Sequence, residues 1–426
     1  MKNVKLALQR SANALVFLSF LCTFACSNAQ VGAPGGSSRA TVGRDVYQPG
    51  SFSPRWTEIL SPPLVTAGSI IAGPDKNLWF TDYSNNMVDR VTPTGVLTTF
   101  SLPTSEAGPA NITSGQNSLM WFSESSHGIA SIDTSGNIAE YPDPDSRWNH
   151  FHVTLGPDGN LWVTVVDNLN TPAVEKISPS GKYLATYLVP IANGDNWITS
   201  GPDGNLWITT SAEIGRLTTS GTFTNIGTIN GTPHQIVSGP DGRIWFVWIG
   251  QNGDNIGAIT TGGTITEYNV PACSARCGAL GLTVGPDKKL WWTDEISQAI
   301  VNTTTAGVSK VILLPFNAQP SFIAKGPDGN LWFTANGSVD SYIRLVMRVA
   351  PNSLTFSNIG VSQTLTVSEK NYGGSWTATT SNPAVVTVAS GTMSNQFVAT
   401  STGVGSGTIT ISDTRHNLFT VPVTVQ

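Results

Sequence analysis

Charged side chains are scarce in this sequence. Only 12% of its 426 residues are Asp, Glu, Lys or Arg, and the formal net charge is -5. A protein that binds nucleic acid needs a dense basic face to neutralise phosphates, so this composition disfavours a nucleic-acid partner. Apolar residues make up 39% of the chain, which at this length is enough to bury the cores of two or three domains.

The N-terminal region contains an apolar run that is too short to be a permanent membrane helix. The run extends from Ala14 to Ala25, whereas a helix that spans a bilayer needs about 20 apolar residues. Basic residues precede the run at Lys2, Lys5 and Arg10. This order is typical of a signal peptide, so residues 1–29 are predicted to direct export and to leave no transmembrane helix in the mature chain.

Two processing sites compete at the end of this segment. Residues 27–29 (SNA) suit a signal peptidase that cleaves after Ala29, whereas residues 23–26 (TFAC) resemble a lipobox that would leave Cys26 lipidated. Thr23 stands where a lipobox usually has an aliphatic residue, which favours cleavage after Ala29. The mature protein is therefore expected to be secreted, periplasmic or located at the cell surface.

Cysteine is also rare, with four in the chain. Cys22 and Cys26 belong to the predicted signal, which leaves Cys273 and Cys277 for the folded part. An oxidising compartment favours a disulfide between these two residues. A zinc site would need about two further ligands, and none lies nearby in the sequence, so a disulfide is predicted.

Amphipathic helical patterns are missing, and a repeat of short β-type segments takes their place. The heptapeptide at 73–79 (GPDKNLW) has a degenerate copy at 115–121 (GQNSLMW), and close copies lie at 156–162, 201–207, 239–245, 285–291 and 326–332. A period of about forty residues is typical of four-stranded propeller blades. The seven copies predict an all-β fold, with a seven-bladed β-propeller over residues 54–349. The repeated Trp is expected to pack between neighbouring blades.

The last copy of the repeat lacks a fourth strand, and a matching segment occurs at the front of the chain. Residues 56–62 (WTEILSP) align with 265–271 (ITEYNVP), which is the fourth strand of a complete unit. The N-terminal strand is therefore predicted to complete the last blade and to remove the open sheet edges.

From Pro351 onward the repeat gives way to strands with a period of two. Together with the length of this segment, the strands indicate a β-sandwich. Residues 379–388 and 405–411 resemble bacterial immunoglobulin-like modules. The predicted organisation is therefore a signal peptide (1–29), a flexible linker (30–53), the propeller (54–349) and an immunoglobulin-like sandwich (350–426).

Three repeated motifs together resemble the streptogramin B lyase (virginiamycin B lyase) family of propellers. They are the turn GPDGNLW, the third strand at 214–218 (IGRLT) and the fourth strand at 266–268 (TEY). The resemblance covers residues 54–349. It implies an elimination that opens a cyclic depsipeptide, with Mg2+ polarising the ester region and a histidine as general base. It also implies a Pro-His pair at the start of the innermost strands of the last two units, and a carboxylate after the last repeat Trp.

The sequence departs from this catalytic pattern. Only His234 follows a proline at the position five residues before the repeat Gly, and it belongs to the fifth unit. The sixth and seventh units have Leu280 and Ser321 there, and Ala335 and Asn336 follow the last repeat Trp in place of a carboxylate. The catalytic set that the resemblance implies is therefore incomplete.

Two reduced sets of residues remain as candidate sites. The first combines His234 as general base with Asp294 and Glu295 as metal ligands. The alternative metal site is formed by the group Asp82, Glu124, His150 and His152. Oxygen and imidazole ligands in either set suit Mg2+ or another divalent cation. An acid three residues after the repeat Trp also recurs as part of the repeat itself, so a structural role for these acids stays open.

Strand alternation and additional aromatic residues suggest further contacts. His150 and His152 are expected to face the same side of a strand. Four tryptophans are additional to the repeat, and any exposed member would stack on a sugar or an aromatic ligand. These residues are Trp148, Trp197, Trp248 and Trp292.

Three functions fit these observations. The leading hypothesis is an exported, monomeric propeller that binds a small molecule, a glycan or a protein at its channel mouth and lacks intact lyase residues. A second is a divalent-metal-dependent carbon-oxygen lyase that uses His234 with Asp294 or Glu295. A third is a structural protein of the cell envelope.

Overall fold

The structure is a computed structural model that describes residues 55–60, 67–190, 196–250, 253–270, 278–314, 318–335, 338–343, 348–368, 375–413 and 418–426. The predicted signal peptide, the linker, Cys26 and the Cys273–Cys277 pair lie outside these residues. Within the described ranges the chain forms nine four-stranded sheets. These ranges contain no helix that could cross a membrane.

Strand β1 (Arg55–Leu60) precedes six sheets that are each built from four consecutive strands. Sheet 1 contains β2 (Ala67–Ala72), β3 (Leu78–Asp82), β4 (Met87–Val91) and β5 (Leu97–Ser101). Sheet 2 contains β6 (Pro109–Ser114), β7 (Met120–Glu124), β8 (Gly128–Ile132) and β9 (Ile138–Pro142). Sheet 3 contains β10 (Trp148–Leu155), β11 (Leu161–Asp167), β12 (Pro172–Ile177) and β13 (Tyr183–Leu188).

The next three sheets follow the same order. Sheet 4 contains β14 (Ile198–Ser200), β15 (Leu206–Thr209), β16 (Glu213–Leu217) and β17 (Phe223–Thr228). Sheet 5 contains β18 (Gly231–Ser238), β19 (Ile244–Gly250), β20 (Gly253–Ile259) and β21 (Ile265–Asn269). Sheet 6 contains β22 (Ala279–Val284), β23 (Leu290–Asp294), β24 (Ala299–Thr303) and β25 (Ser309–Leu313).

Sheet 7 joins the two ends of the repeat region. It contains β26 (Pro320–Lys325), β27 (Leu331–Ala335) and β28 (Ser338–Ile343), and β1 pairs antiparallel with β28 as its fourth strand. The first strand of each sheet contacts the first strand of the next, and β26 contacts β2. The sheets therefore form a closed ring, which is the β-propeller that the repeat predicts.

The repeated turn explains why Gly, Asp and Trp recur together. In the first copy the Asp75 carboxylate accepts hydrogen bonds from the backbone N–H of Asn77 and from Nε1–H of Trp79, at 3.2 and 3.0 Å. A Cβ atom at Gly73 would lie 2.4 Å from Cδ1 of Trp79, so the indole leaves room only for glycine. The turn thus holds the indole ring in the orientation in which it packs against the next sheet.

Each repeat Trp is buried and packs against the following sheet, as predicted. Trp79 of sheet 1 lies in one apolar cluster with Ile112 and Phe122 of sheet 2. Trp332 of sheet 7 lies in another with Ile70 and Phe80 of sheet 1. Burial of large apolar side chains is the main stabilising contribution to such an interface. The same contact, repeated around the ring, connects all the sheets.

Hydroxyl side chains two residues after the repeat Trp make a second inter-sheet contact. Ser123 Oγ accepts the backbone N–H of Asn111 at 3.1 Å and donates to the carbonyl oxygen of Phe151 in sheet 3 at 2.5 Å. Thr293 makes the equivalent pair of contacts with Gly281 and with Ser321 of sheet 7. In both cases the bonds satisfy backbone groups at the bulged start of an innermost strand.

Two more sheets follow the ring and share one hydrophobic core. One has the order β29 (Arg348–Ala350), β31 (Ser362–Ser368), β34 (Gln396–Ser401) and β33 (Val386–Ser390). The other has the order β30 (Leu354–Phe356), β36 (Leu418–Val425), β35 (Gly405–Asp413) and β32 (Trp376–Thr380). Strand β29 begins two residues before the domain boundary expected at residue 350. The immunoglobulin-like identity of this part stays a prediction.

Candidate functional site

Aromatic side chains fill the centre of the ring. The ring of His152 from sheet 3 stacks on Trp197, which immediately precedes β14, with centroids 3.7 Å apart and planes at 21°. Trp197 also contacts Phe322 of sheet 7, at 5.8 Å between centroids. Trp197 is only 5% exposed. These rings therefore pack on one another and leave no gap between them.

Polar groups at the same level are used within the fold. Asn111 donates from Nδ2 to Ser69 Oγ at 3.0 Å and accepts the backbone N–H of Val153 through Oδ1 at 3.0 Å. Gln235 Oε1 accepts the N–H of Leu282 at 2.7 Å. Each bond joins two neighbouring sheets, so these side chains hold the innermost strands in register.

His234, the predicted general base, is buried. It lies on β18 with 1% of its surface exposed, and its carbonyl oxygen accepts a hydrogen bond from Thr209 Oγ1 at 3.0 Å. A general base must reach the proton that it removes, and this burial separates the imidazole from solvent. Leu280 and Ser321, at the equivalent positions of sheets 6 and 7, are partly exposed.

The predicted metal ligands Asp294 and Asp82 hold turns. Asp294 Oδ1 accepts the backbone N–H groups of Ser297 at 2.8 Å and Gly278 at 3.3 Å. Asp82 accepts the backbone and side-chain N–H groups of Asn85 at 3.2 and 2.7 Å. Both carboxylates are fully buried. These contacts support a structural role for the repeated acids and not a role as metal ligands.

Glu295 differs from Asp294 because no turn contact of its carboxylate is seen in the described residues. Its side chain is half-buried. Burial raises the pKa of Glu295, and the charge of the adjacent Asp294 raises it further. Among the contacts of the described residues, none joins Glu295 to His234.

The alternative set is divided by a bulge in β10. His150 lies opposite Val165 and Val153 lies opposite Val163, so two residues of β10 face one residue of β11. The alternation of side chains is interrupted there. The prediction that His150 and His152 share a side is therefore wrong. His152 points to Trp197, whereas His150 lies between sheets 2 and 3.

His150 instead lies between two carboxylates. Its Nε2 atom is 3.2 Å from Glu175 Oε2 on β12 and 3.4 Å from Asp143 Oδ2 in the connection after β9. All three side chains are at most 4% exposed. Sequence reasoning missed Asp143 and Glu175. The signal at Glu175 was weak, because the equivalent third-strand position is glycine in sheets 4 and 5 (Gly215 and Gly257) but an acid in sheet 1 (Asp89).

The electrostatics of this cluster reflect its burial. Burial alone would lower the pKa of His150, but Asp143 and Glu175 raise it above its usual value. Burial raises the pKa of Glu124 to about 8, with a further contribution from Glu140 and an opposing one from His150. Of the predicted alternative set, Glu124 and His150 are therefore close enough for their charges to interact.

The four additional tryptophans are all in the core. Trp148, Trp197, Trp248 and Trp292 are 4%, 5%, 1% and 0% exposed. None of them is exposed enough to stack on a sugar or an aromatic ligand, so the condition for that role is not met. Their ring faces pack against neighbouring strands because the interiors of adjacent sheets are apolar.

Comparison with known proteins identifies similar sequences. A model of the virginiamycin B lyase family matches residues 57–275 and 191–345. A virginiamycin B lyase of Nocardia farcinica is 33% identical over 88 residues. That alignment covers 20% of this chain and 31% of the Nocardia protein, so the chain matches about a third of that relative's length.

Solved structures extend the similarity over the whole ring. A streptogramin B lyase has a TM-score of 0.61 and 29% identity, covering 67% of this chain and 96% of its own. A catalytically inactive histidine-to-alanine variant of the Staphylococcus aureus virginiamycin B lyase, crystallised with quinupristin, has a TM-score of 0.61 and 27% identity. It covers 68% of this chain and 99% of its own.

A more distant likeness shows the fold alone. The extracellular domain of a one-component system of Bacteroides thetaiotaomicron has a TM-score of 0.54 and 13% identity. It covers 88% of this chain, and the chain covers 60% of that structure.

Proposed function

Because the chain belongs to the virginiamycin B lyase family, we propose that it is an exported member that binds a ligand at the propeller mouth without catalysing the lyase reaction. The family model spans residues 57–345, which is most of the chain. Export rests on the predicted signal peptide, with release after Ala29 or lipid attachment at Cys26. The linker 30–53 and the segment 350–426 would then serve as tether and spacer.

The residues at the start of the innermost strands carry this proposal. Leu280 and Ser321 occupy the two positions where the family resemblance implies histidines, and neither side chain acts as a base near neutral pH. The one histidine at an equivalent position, His234, is buried. Ala335, the last residue of β27, stands after the last repeat Trp where a carboxylate is implied, so both the base and the implied metal ligand are missing.

Binding without catalysis has support from a relative. The S. aureus variant is described as catalytically inactive and was crystallised with quinupristin. A propeller of this family can therefore hold a ligand after it has lost a histidine. In this chain, Leu280 and Ser321 are partly exposed, and Ser321 directly precedes Phe322 of the aromatic stack. Pockets for small molecules combine such apolar walls with a few polar groups.

The two alternatives have weaker support. A lyase that uses His234 with Asp294 or Glu295 needs an accessible base and free carboxylates, whereas His234 is buried and Asp294 holds a turn. A purely structural role in the cell envelope has no specific contact in its favour.

Calorimetric titration with quinupristin tests the proposed binding. We expect the purified chain to bind this cyclic peptide, and Ser321→Trp to weaken binding at least about tenfold by filling the mouth. Lys325→Trp is the matched control, since Lys325 is exposed at the opposite end of β26. A folded chain that releases no heat, or equal weakening by both substitutions, would contradict the proposed ligand class and its location.

A further inference from the structure

One cluster of buried side chains has no role in the proposed binding. Among the described residues, Asp143, His150 and Glu175 offer ligand atoms that all lie within 4.8 Å of one another. Two of these residues come from sheet 3, on β10 and β12, and the third from the connection that follows sheet 2. We propose that they hold a divalent cation of the zinc type, which links the two sheets. This inference does not depend on the proposed function.

The distances suit a small cation. His150 Nε2 lies 3.2 Å from Glu175 Oε2 and 3.4 Å from Asp143 Oδ2. Zinc binds nitrogen and oxygen ligands at about 2.0–2.2 Å in a tetrahedron, whose ligand atoms are then separated by roughly 3.4 Å. The two separations in the structure are close to that value. A zinc-sized ion would therefore fit between these atoms with little movement.

Hydrogen bonds already orient both carboxylates towards His150. Asp143 uses Oδ1 to accept the backbone N–H of Asp145 at 2.8 Å, and its Oδ2 faces the imidazole. Glu175 uses Oε1 to accept the hydroxyl of Thr186 at 3.3 Å, and its Oε2 faces the imidazole. Such outer hydrogen bonds are typical of metal sites, where they fix the direction of each ligand.

The buried charge also calls for a cation. No Lys or Arg of the described chain forms an ion pair with Asp143 or Glu175, and the nearby Arg147 pairs with Asp145. His150 supplies at most one positive charge to Asp143 and Glu175, and buried negative charge that is not compensated is costly. A divalent ion would neutralise the charges of Asp143 and Glu175.

The donor set and burial indicate which ion and which role. Imidazole with two carboxylates suits zinc and similar transition metals, whereas calcium requires six to eight oxygen ligands and magnesium retains several waters. His150 is 1% exposed and the carboxylates at most 4%. Substrate cannot reach such a closed site. The ion would therefore be structural and would hold the Asp143 segment against sheet 3.

Zinc titration of the chelator-treated full chain tests this site. We expect one zinc ion to bind per chain and, at saturation, to raise the melting temperature by roughly 5 °C or more. Glu175→Gln and Asp143→Asn should each weaken zinc binding at least about tenfold. Asp143 lies outside the strands, so its substitution keeps the test valid if the Glu175 variant fails to fold. Cobalt substitution should give the visible absorption of a tetrahedral site.

Asp89→Asn is the matched control for the substitutions. Asp89 lies on β4 at the position that Glu175 occupies on β12, opposite the residue after the repeat Trp. This variant should bind zinc as the parent does. The proposal is overturned if the parent chain binds no zinc, which would leave His150 as an ion-paired imidazolium. It is equally overturned if zinc binds the Glu175 and Asp143 variants with unchanged affinity.

Discussion

A chain that begins at Ser61 is expected to melt roughly 10 °C or more below one that begins at Arg55. The first lacks β1, the six-residue strand that pairs with β28 and completes sheet 7. Each ladder hydrogen bond lost costs about 1 kcal/mol. The unpaired edge of β28 would also promote association with other chains.

The chain that begins at Arg55 is the control, because both chains lack residues 1–54 and only this one keeps β1. Differential scanning calorimetry of the two chains gives the comparison directly. Equal melting temperatures would contradict the closure of the ring by β1, because removal of a strand that closes the ring must lower the stability.

Replacing Asp89 by Asn is expected to stabilise the protein at pH 8 and to have little effect at pH 4. Asp89 is fully buried on β4, and none of the described residues donates a hydrogen bond to its carboxyl oxygens. Burial raises the pKa of Asp89 to about 7, with a further contribution from the charge of Asp82. The folded protein therefore keeps this carboxyl protonated over a range in which the unfolded chain ionises.

The sign of the pH dependence follows from this difference. Below the unfolded pKa of 3.8 both states are protonated, and the group does not oppose folding. Between pH 3.8 and about 7 only the folded state holds the proton, so the free energy of unfolding falls as the pH rises. A shift of about three units corresponds to roughly 4 kcal/mol, all of it lost above pH 7.

Urea unfolding of the parent and of Asp89→Asn at a series of pH values measures this effect. The difference between the two should grow from near zero at pH 4 to roughly 4 kcal/mol at pH 8. Asp158→Asn is the control, and it should destabilise the protein by an amount that does not vary between pH 4 and pH 8, because hydrogen bonds from Trp162 and Asn160 and the ion pair with Lys176 lower the pKa of Asp158 to about 2 against the effect of burial. If the difference in unfolding free energy between the parent and Asp89→Asn does not vary with pH, Asp89 is ionised in the folded protein.

The sequence was most informative where it repeats. The Gly-to-Trp turn recurs because one indole must pack on the next sheet at each step, and its copies therefore revealed the blades and the closing strand. The hydroxyl two residues after each Trp also recurs, with Val247 as the exception in sheet 5. That signal was present and was not used, although it explains how adjacent innermost strands are joined.

The candidate site was less predictable because its contacts are not periodic. Asp143 lies in a connection and Glu175 on a third strand, and only the packing of sheet 2 on sheet 3 brings them to His150. A two-residue bulge in β10 turns His152 towards Trp197, and a strict alternation cannot anticipate it. Burial decided the role of His234, and the position of a histidine in a repeat does not specify its exposure.

Incubation of the chain with quinupristin and Mg2+, followed by chromatography and mass spectrometry, tests the central claim most directly. Ring opening by elimination gives a linear isomer without the added mass of water, so the two forms separate by retention and fragmentation. We expect quinupristin to remain cyclic while a virginiamycin B lyase linearises it in a parallel sample. A linear isomer formed by this chain, and lost in His234→Ala, would contradict the account and establish a lyase with a relocated base.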